Sequence, residues 1–399
     1  MNPSDIRSAQ FIDTFYPMVD GVVQAVNNYA AIMNRDAYTC VVTPKGSRRF
    51  DDSVLPYDVI RTAALNLKIA EYTLPTPRLD RTLKSALQRI RPDIFHVHSP
   101  FTEGSFARDF ARKLDIPCVA TFHSKYYDDV VNVTGSKTIA EIVTSRIVKF
   151  YESVDSVWSV TEGAADVLRG YGYRGDIVVM ENGTTYTYPA NADAIRRRAA
   201  EEFSIPQDKR VLLFVGHLIW HKNLRLILDT FRLLTERSDK YRLLIVGDGY
   251  DEKVIRAYAD ELDFPERSLR FLGRINDREL LMGVYLNSNL FFFPSVYDTS
   301  GLVVREAASL GIPSLLTAGS NAAEVIEKDM TGFTAEENAV SMYREIVRIF
   351  HTEGLLERAG VGARANVART WEQLMPQVRH EYARIIEDYR YRRAKEGQG

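Results

Sequence analysis

Short apolar runs alternate with helix-length segments along most of this 399-residue chain, and the alternation constrains its fold more than any single motif. Each apolar run has the length and composition of a strand buried on both faces. The predicted strands are residues 8–15, 39–43, 93–98, 117–123, 156–160 and 177–180 in the first half, and 210–215, 242–246, 269–272, 290–293 and 314–317 in the second. Helices are predicted between them, among others at residues 21–34, 80–91, 103–113, 138–151, 162–171 and 192–203. This order predicts an α/β protein with doubly wound parallel sheets, whose ligands bind beyond the carboxyl ends of the strands.

Length and composition indicate two globular domains. A chain of 399 residues is too long for one ordinary core and suits two domains of roughly 180 residues each. A formal net charge of −2 gives no general attraction to nucleic acid. The N-terminal segment has no apolar core of signal-peptide length, and the chain has no apolar stretch long enough to span a membrane. We therefore expect a cytoplasmic protein with no nucleic-acid partner.

The segment of residues 290–317 is the most informative about chemistry. Its apolar run ends at Pro294, a polar loop that contains Asp298 follows, and Gly301 precedes a helical pattern. A loop of this kind presents backbone N–H groups to an anion. Glu306 would lie about 7–8 Å along the helix axis from Gly301, so Glu306 and Asp298 suit separate contacts to one elongated ligand with hydroxyls and phosphates. Taken singly, either carboxylate would more often be an ordinary solvated charge.

The spacing in this segment resembles the donor-site signature of the family-4 retaining glycosyltransferases: Asp298, seven residues, Glu306 with Ala307, and then Gly311-x-Pro313. The family has glutamate where this chain has Asp298. The resemblance implies the GT-B fold, in which two Rossmann-like domains face a central cleft. It implies an acceptor-side domain at residues 1–184, a nucleotide-sugar-binding domain at residues 185–369, and a C-terminal helix at residues 370–399 that crosses back to the first domain.

The resemblance extends to the loops that would bind the donor. The segment that begins at Gly216 is similar to the family's phosphate loop, with Lys222 in the lysine position and His217 in place of the arginine. Lys222 would pair with the diphosphate and Asp298 would hold the hexose, and both are predicted to be catalytic. Because imidazole changes its charge between pH 5 and 8, whether this chain keeps the family's second cationic contact stays open. The other positions implied for donor binding are Gly21, Gly249, Arg274, Ile275, Ser300, Gly301, Leu302 and Glu306, the last of these at the ribose.

The first half of the chain supplies the remaining candidates. His123, at a strand end, matches a histidine that family members use beside the donor sugar, and it completes the predicted catalytic set. An isolated histidine in this position is more often structural. Residues 125–127 would line an acceptor pocket. His96 and His98 share one face of a strand, but two histidines without a third ligand are a weak metal signal, so no metal site is expected.

The resemblance implies retaining transfer of a hexose from a nucleotide-diphosphate sugar, with a UDP-sugar favoured over a GDP-sugar, to a hydroxyl of a lipid or glycan. The nucleotide-sugar would be a co-substrate, and no tightly bound cofactor is expected. Basic residues cluster at residues 81–91 and 389–393, where they could contact anionic lipid at the inner face of a membrane, although such clusters are usually solvated faces. Two other functions stay open. One is a nucleotide-sugar epimerase or hydrolase of the same fold, and the other is a non-catalytic nucleotide-sugar-binding protein, suggested by His217 and Asp298.

Overall fold

The computed structural model of the chain describes residues 2–18, 20–46, 50–66 and 73–396. It divides into two compact units, one formed by Met1–Asn182 with Trp371–Gly399 and one formed by Gly183–Thr370. Each unit is built on one parallel sheet whose strands alternate with helices along the chain. The predicted α/β class is therefore confirmed.

The first unit contains a seven-stranded parallel sheet. The strands of this unit in chain order are β1 (Ser8–Phe11), β2 (Thr39–Pro44), β3 (Asp58–Thr62), β4 (Ala64–Asn66), β5 (Thr73–Pro75), β6 (Ile94–Val97), β7 (Cys118–Phe122), β8 (Ser156–Ser159) and β9 (Val178–Val179). β4 and β5 form a separate antiparallel pair, and the other seven form the parallel sheet. Its first six helices are α1 (Gly21–Met33), α2 (Arg81–Ile90), α3 (Thr102–Leu114), α4 (Tyr126–Thr134), α5 (Lys137–Tyr151) and α6 (Glu162–Gly170). The strand order β3-β2-β1-β6-β7-β8-β9 reverses its winding between β1 and β6.

The second unit repeats this plan with six parallel strands. They are β10 (Arg210–Val215), β11 (Tyr241–Val246), β12 (Leu269–Gly273), β13 (Leu290–Phe293), β14 (Ser314–Thr317) and β15 (Phe333–Ala335). The helices of this unit are α7 (Ala192–Glu202), α8 (Leu224–Thr235), α9 (Glu252–Glu261), α10 (Arg278–Leu286), α11 (Leu302–Ser309), α12 (Ala339–His351) and α13 (Leu355–Gly362). The strand order β12-β11-β10-β13-β14-β15 reverses its winding between β10 and β13. Open α/β sheets bind their ligands at such a reversal.

The apolar runs of the sequence form the central strands of both sheets. Every residue of β1, β6, β13 and β14 is buried. In β13 the rings of Phe291 and Phe293 stack with their centroids 5.6 Å apart. Strands that are covered on both faces have no polar face, which is why continuous apolar runs predicted them correctly.

The C-terminal helix α14 (Trp371–Glu396) belongs to the first unit and packs against α1. The ring of Trp371 lies 5.5 Å from that of Tyr29, and the ring of Tyr382 stacks 5.4 Å from that of Trp158. Tyr382 is fully buried. This helix therefore supplies side chains to the core of the first unit.

The structure differs from the predicted elements in several places. β1 ends at Phe11 and not at residue 15, because the chain turns at Asp13, whose Oδ1 accepts a hydrogen bond of 3.0 Å from the backbone N–H of Glu103. The edge strand β3 was not predicted, since its polar and apolar residues are mixed. Residues 125–127, predicted to line a pocket, lead into α4, and Tyr126 is 8% exposed and packs in the core.

Candidate functional site

Apart from Gly21, which belongs to the first unit, the predicted donor-binding residues lie at or near the carboxyl edge of the second sheet. The loop after β10 carries His217 and Lys222, and the loop after β13 carries Asp298. β10 and β13 are hydrogen-bonded neighbours at the point where the winding reverses. The fold thus brings these two loops together at the position where this class of sheet binds ligands.

Lys222 and Asp298, predicted separately, form an ion pair. The Nζ atom of Lys222 lies 2.5 Å from Oδ1 of Asp298 and 5.3 Å from the ring centroid of Phe293. Only 11% of the lysine side chain and 21% of the aspartate side chain are exposed. The pair is consequently held in place by partial burial, unlike a solvated surface pair.

Several polar atoms on the loops after β13 and β14 have hydrogen-bonding capacity that the described residues do not use. They are Oδ2 of Asp298, Oγ of Ser295 and Nδ2 of Asn321, each buried without a hydrogen-bond partner among the described residues. Ser295 and Asp298 follow β13, and Asn321 follows β14. Because unpaired buried polar atoms are costly, their presence on adjacent loops is what a site for a polar ligand would show.

The loop after β13 leads into α11 through Gly301, whose φ of 53° lies in the left-handed region. An added Cβ at Gly301 would also lie 3.0 Å from Cβ of Ala322. Both observations explain why glycine stands at this position. The backbone N–H groups that follow, beginning with Leu302, start the helix, and a helix N-terminus is a place that favours an anion. Ser300 precedes them in the same loop.

Glu306 lies one turn along α11 and contacts α10 instead of the ion pair. Its Oε2 accepts a hydrogen bond of 3.2 Å from the hydroxyl of Tyr285. Burial raises the pKa of Glu306 to about 7, whereas the Tyr285 hydrogen bond and the positive charge of Arg278 act in the opposite direction. The carboxyl group therefore changes its protonation close to neutral pH.

The remaining predicted residues of this unit occupy neighbouring loops at the same edge. His217 is exposed, next to Gly216 at the end of β10. Gly249 is required by packing, since an added Cβ would lie 2.4 Å from the carbonyl oxygen of Leu218. At the end of β12, Arg274 donates to Asn276 at 3.1 Å and lies 3.8 Å from Asp248. Ile275 is partly buried against the core.

His123 lies at the carboxyl end of β7 in the first unit and is 5% exposed. Its Nε2 lies 3.0 Å from Nδ1 of His98, and Nε2 of His98 lies 3.0 Å from Oε1 of Gln10. Burial lowers the pKa of His123 to about 3. The imidazole is thus neutral over the physiological range and is suited to hydrogen bonding.

Two carboxyl groups of the first unit, the fully buried Glu103 and the partly buried Asp13, were not predicted from the sequence. Asp13, after β1, accepts the N–H of Glu103 and so caps α3 from a distance. Glu103 is 0% exposed, and the hydroxyl of Thr62 donates to its Oε1. Burial raises the pKa of Asp13 to about 6 and that of Glu103 to about 8. No local pattern indicates these pairings, which join residues 41 and 90 positions apart.

Gly21 is exposed at the start of α1, directly after Asp20, which caps that helix by accepting the N–H of Val23 at 2.8 Å. Val19, in the same predicted loop, lies outside the described residues. Over the described ranges, no group of three or more His, Cys, Asp or Glu side chains could hold a metal ion. None of the helices in those ranges is long and apolar enough to cross a membrane.

Two family models match the chain, and together they extend over most of it. The model described as Glycosyltransferase Family 4 matches residues 19–186, and the model described as Glycosyl transferases group 1 matches residues 195–365. The first match falls almost entirely in the first unit and the second in the second unit.

The matches to curated relatives also extend over most of the chain. The chain is 23% identical over 335 residues to an alpha-monoglucosyldiacylglycerol synthase of Streptococcus pneumoniae, covering 82% of this chain and 74% of the relative. It is 24% identical over 394 residues to a GDP-mannose-dependent alpha-mannosyltransferase of Corynebacterium glutamicum, covering 96% of this chain and 89% of the relative.

Solved structures confirm the GT-B fold. The Anabaena protein HepE in complex with UDP and glucose superimposes with a TM-score of 0.73 at 14% identity, covering 95% of this chain and 99% of the neighbour. Sucrose-phosphate synthase of Thermosynechococcus elongatus gives a TM-score of 0.77 at 18% identity, covering 96% of this chain and 100% of the neighbour. Given the two family matches, the relatives and the fold, this chain belongs to the family-4, group 1 glycosyltransferases.

Proposed function

We propose that this glycosyltransferase is a retaining enzyme that transfers a hexose from a UDP-sugar to a hydroxyl group of a lipid or glycan. The nucleotide-sugar binds as a co-substrate at the carboxyl edge of the second sheet. Lys222, Asp298 and His123 are the proposed catalytic residues, and Glu306 binds the ribose.

The observation that carries this proposal is the Lys222–Asp298 ion pair. An ammonium group has three N–H donors, and Asp298 takes one of them at 2.5 Å. The other donors are suited to oxygens of a diphosphate. Oδ2 of Asp298, which has no partner among the described residues, is suited to accept a hydrogen bond from a hexose hydroxyl. Such a pair would offer a phosphate contact directly beside a sugar contact, as a nucleotide-sugar requires.

The N-terminus of α11 complements the pair. Backbone N–H groups from Gly301 and Leu302 onward stabilise negative charge that develops on the departing diphosphate. Glu306, one turn further along α11, accepts hydrogen bonds from ribose hydroxyls when it is ionised. The order of contacts along this loop and helix then follows the order of hexose, diphosphate and ribose in the donor.

The proposed reaction proceeds on one face of the sugar. The bond between the anomeric carbon and the β-phosphate oxygen breaks, the acceptor oxygen bonds to the same carbon, and the hydroxyl proton of the acceptor passes to the leaving phosphate. A double displacement would need a carboxylate nucleophile. Glu103 is largely protonated at pH 7 because burial raises its pKa to about 8, and the family that this chain resembles reacts on one face of the sugar, which together favour the single-face reaction.

A GDP-sugar is the second candidate donor. The Corynebacterium glutamicum relative matches 96% of this chain and is named GDP-mannose-dependent. The UDP-sugar is supported by the Anabaena structure, which was solved with UDP and glucose. Because the segment around Arg274 and Ile275 would recognise the base through its backbone, its side chains do not discriminate between the two.

The proposal is tested by thermal shift with UDP, GDP and ADP and their sugars, since a ligand that binds only the folded state raises the melting temperature. We expect a shift with UDP and a UDP-hexose. Lys222→Met and Asp298→Asn should abolish it and lower transfer at least about 100-fold, the scale of one lost transition-state contact. Lys253→Met and Asp260→Asn change exposed residues of α9 and are the matched controls.

Each alternative has its own outcome. A shift with GDP and a GDP-hexose alone would replace the UDP assignment. Donor consumption that does not depend on any acceptor would identify an epimerase or hydrolase, and binding without turnover would identify a non-catalytic protein. Transfer within a few-fold of wild type in both site variants would overturn the site itself.

A further inference from the structure

A chain of buried polar side chains runs through the core of the first unit and ends at His123. Gln10 on β1, His96 and His98 around β6, and Tyr382 on α14 are each at most 1% exposed. Gln10 Nε2 lies 3.1 Å from Oγ of Ser8 and 3.5 Å from the hydroxyl of Tyr382, while its Oε1 lies 3.0 Å from Nε2 of His98. Such a network in an apolar core is consistent with only a few arrangements of its protons.

The chemistry of the partners determines these arrangements. An amide oxygen only accepts hydrogen bonds, so Nε2 of His98 must donate to Gln10. In a neutral imidazole the other nitrogen then accepts, and Nδ1 of His98 therefore accepts from Nε2 of His123 at 3.0 Å. This leaves the proton of His123 on Nε2 and makes its Nδ1 the accepting nitrogen.

The Gln10 amide is oriented with its oxygen toward His98 and its NH₂ group toward hydroxyl groups. Its NH₂ group faces two hydroxyls, those of Ser8 and Tyr382, each of which can accept and still use its own proton elsewhere. The Tyr382 hydroxyl lies 2.6 Å from Nδ1 of His96, whose Nε2 lies 2.7 Å from Oγ1 of Thr121. Helix α14 thus takes part in this network although it is far from His123 in the sequence.

We propose that Gln10, acting through His98, is a positioning residue that holds His123 in the tautomer with its proton on Nε2, so that Nδ1 accepts a hydrogen bond from a substrate hydroxyl during transfer. The role of His123 toward substrate rests on the proposed function. The tautomer assignment rests only on the hydrogen bonds that link Gln10, His98 and His123.

Burial supports this reading independently. It lowers the pKa of His98 well below its usual value and that of His123 to about 3. Both rings are consequently neutral at pH 7. A neutral imidazole has one N–H donor and one accepting nitrogen, and a hydrogen-bonding neighbour determines which nitrogen carries the proton. His123 then acts as an oriented acceptor, and the leaving phosphate remains the site that receives the proton of the acceptor hydroxyl.

The tautomer is measured directly by long-range ¹H–¹⁵N NMR on the full-length protein labelled at its 7 histidines, with His123→Gln to assign the signals. In the wild type we expect His123 to carry its proton on Nε2. Gln10→Leu removes the acceptor for His98, so it should change the tautomer populations of both rings and lower kcat about tenfold with the donor KM nearly unchanged. Gln10→Glu keeps an accepting oxygen and should retain the wild-type tautomer and kcat within about threefold.

Either part of the inference can be overturned separately. A wild-type His123 with its proton on Nδ1 would refute the hydrogen-bond pattern inferred for Gln10, His98 and His123, whatever the variants do. Equal loss of kcat in Gln10→Leu and Gln10→Glu, with both tautomers unchanged, would reduce Gln10 to a packing residue. Full activity of His123→Gln would remove His123 from transfer while leaving the measured tautomer and the donor site of the second unit unaffected.

Discussion

His217 stands where the family has an arginine, and the substitution His217→Arg restores the family's residue. It is exposed on the loop that also carries Lys222. An arginine binds phosphate in a forked, bidentate geometry that an imidazole cannot provide. We expect His217→Arg to lower the donor KM about fivefold, the scale of one exposed charge contact. Steady-state kinetics measure this. A KM that is unchanged in His217→Arg would place this side chain outside the phosphate site.

We expect Glu306 to make donor binding depend on pH. Burial raises its pKa to about 7, and the ionised carboxylate only accepts hydrogen bonds, whereas the protonated group also has an O–H that must donate one. Ribose hydroxyls that bind the ionised form lower its pKa in the complex, so binding releases a proton below pH 7. We expect the Kd of the nucleotide-sugar to rise as the pH falls from 8 to 6, approaching tenfold per unit. Calorimetry in two buffers of different ionisation enthalpy detects the proton. Glu306→Gln should bind more weakly with a flat profile, and an equal slope in that variant would assign the titration to another group.

At the scale of elements, two carboxyl groups at the start of α3 are expected to make the free energy of unfolding depend on pH. Asp13 caps this helix, and Glu103 in its first turn is fully buried. Burial raises both pKa values, to about 6 and about 8. A raised pKa means that the protonated form stabilises the fold, and this contribution is lost as the pH rises through the folded-state value. The free energy of unfolding of the wild type should therefore fall between pH 5 and 9, with Glu103 contributing on the order of a few kcal/mol.

The matched comparison uses Glu103→Gln, which removes the titration, and Glu141→Gln, which changes an exposed residue of α5. Urea unfolding at pH 5 and 9 should give a smaller difference for Glu103→Gln than for wild type, and no change for Glu141→Gln. A difference that is the same in all three proteins would show that Glu103 is already ionised at pH 5.

Elements that are encoded by a local pattern could be predicted from the sequence. The run 290–293 became β13 with the predicted bounds, and α11 begins after Gly301 as expected. The mixed edge strand β3 and the three-residue strand β15 carry too little periodicity to be recognised.

Contacts between side chains that are distant in the sequence could not be predicted. Lys222 and Asp298 were each predicted, but their ion pair joins positions 76 residues apart, and the hydrogen bond between Tyr382 and His96 joins positions 286 residues apart. Such pairs depend on the topology, which no local spacing encodes.

At the scale of the whole molecule, both sheets use one winding plan. The order β3-β2-β1-β6 of the first unit corresponds to β12-β11-β10-β13 of the second. Each unit carries candidate residues at its carboxyl edge: a histidine with a defined hydrogen-bond chain in the first, and an ion pair beside a helix N-terminus in the second. A division between acceptor-side and donor-side roles is therefore the simplest proposal for two units built alike.

A lipid acceptor would require contact with a membrane, and the charges of the first unit indicate which of the two predicted basic clusters is suited to it. On α14, Arg390, Arg392 and Arg393 each lie within ion-pair distance of an aspartate: Asp93 at 3.9 Å, Asp155 at 3.0 Å and Asp115 at 2.7 Å. Around α2, by contrast, Arg81 and Arg89 are exposed, and Leu79 beside them is 80% exposed. We therefore expect α2 to contact anionic lipid.

The prediction is that the protein floats with vesicles containing anionic lipid at low salt and remains in the soluble fraction at high salt, because exposed charges are screened. Arg81→Gln with Arg89→Gln should weaken partitioning about 10–30-fold, since each basic residue near such a surface contributes on the order of 1 kcal/mol. Lys240→Gln with Lys253→Gln removes the same charge from exposed positions of the second unit and should leave flotation unchanged. Equal losses in both double variants would mean that net charge alone drives binding. Absence of flotation at low salt would contradict membrane contact and favour a glycan acceptor.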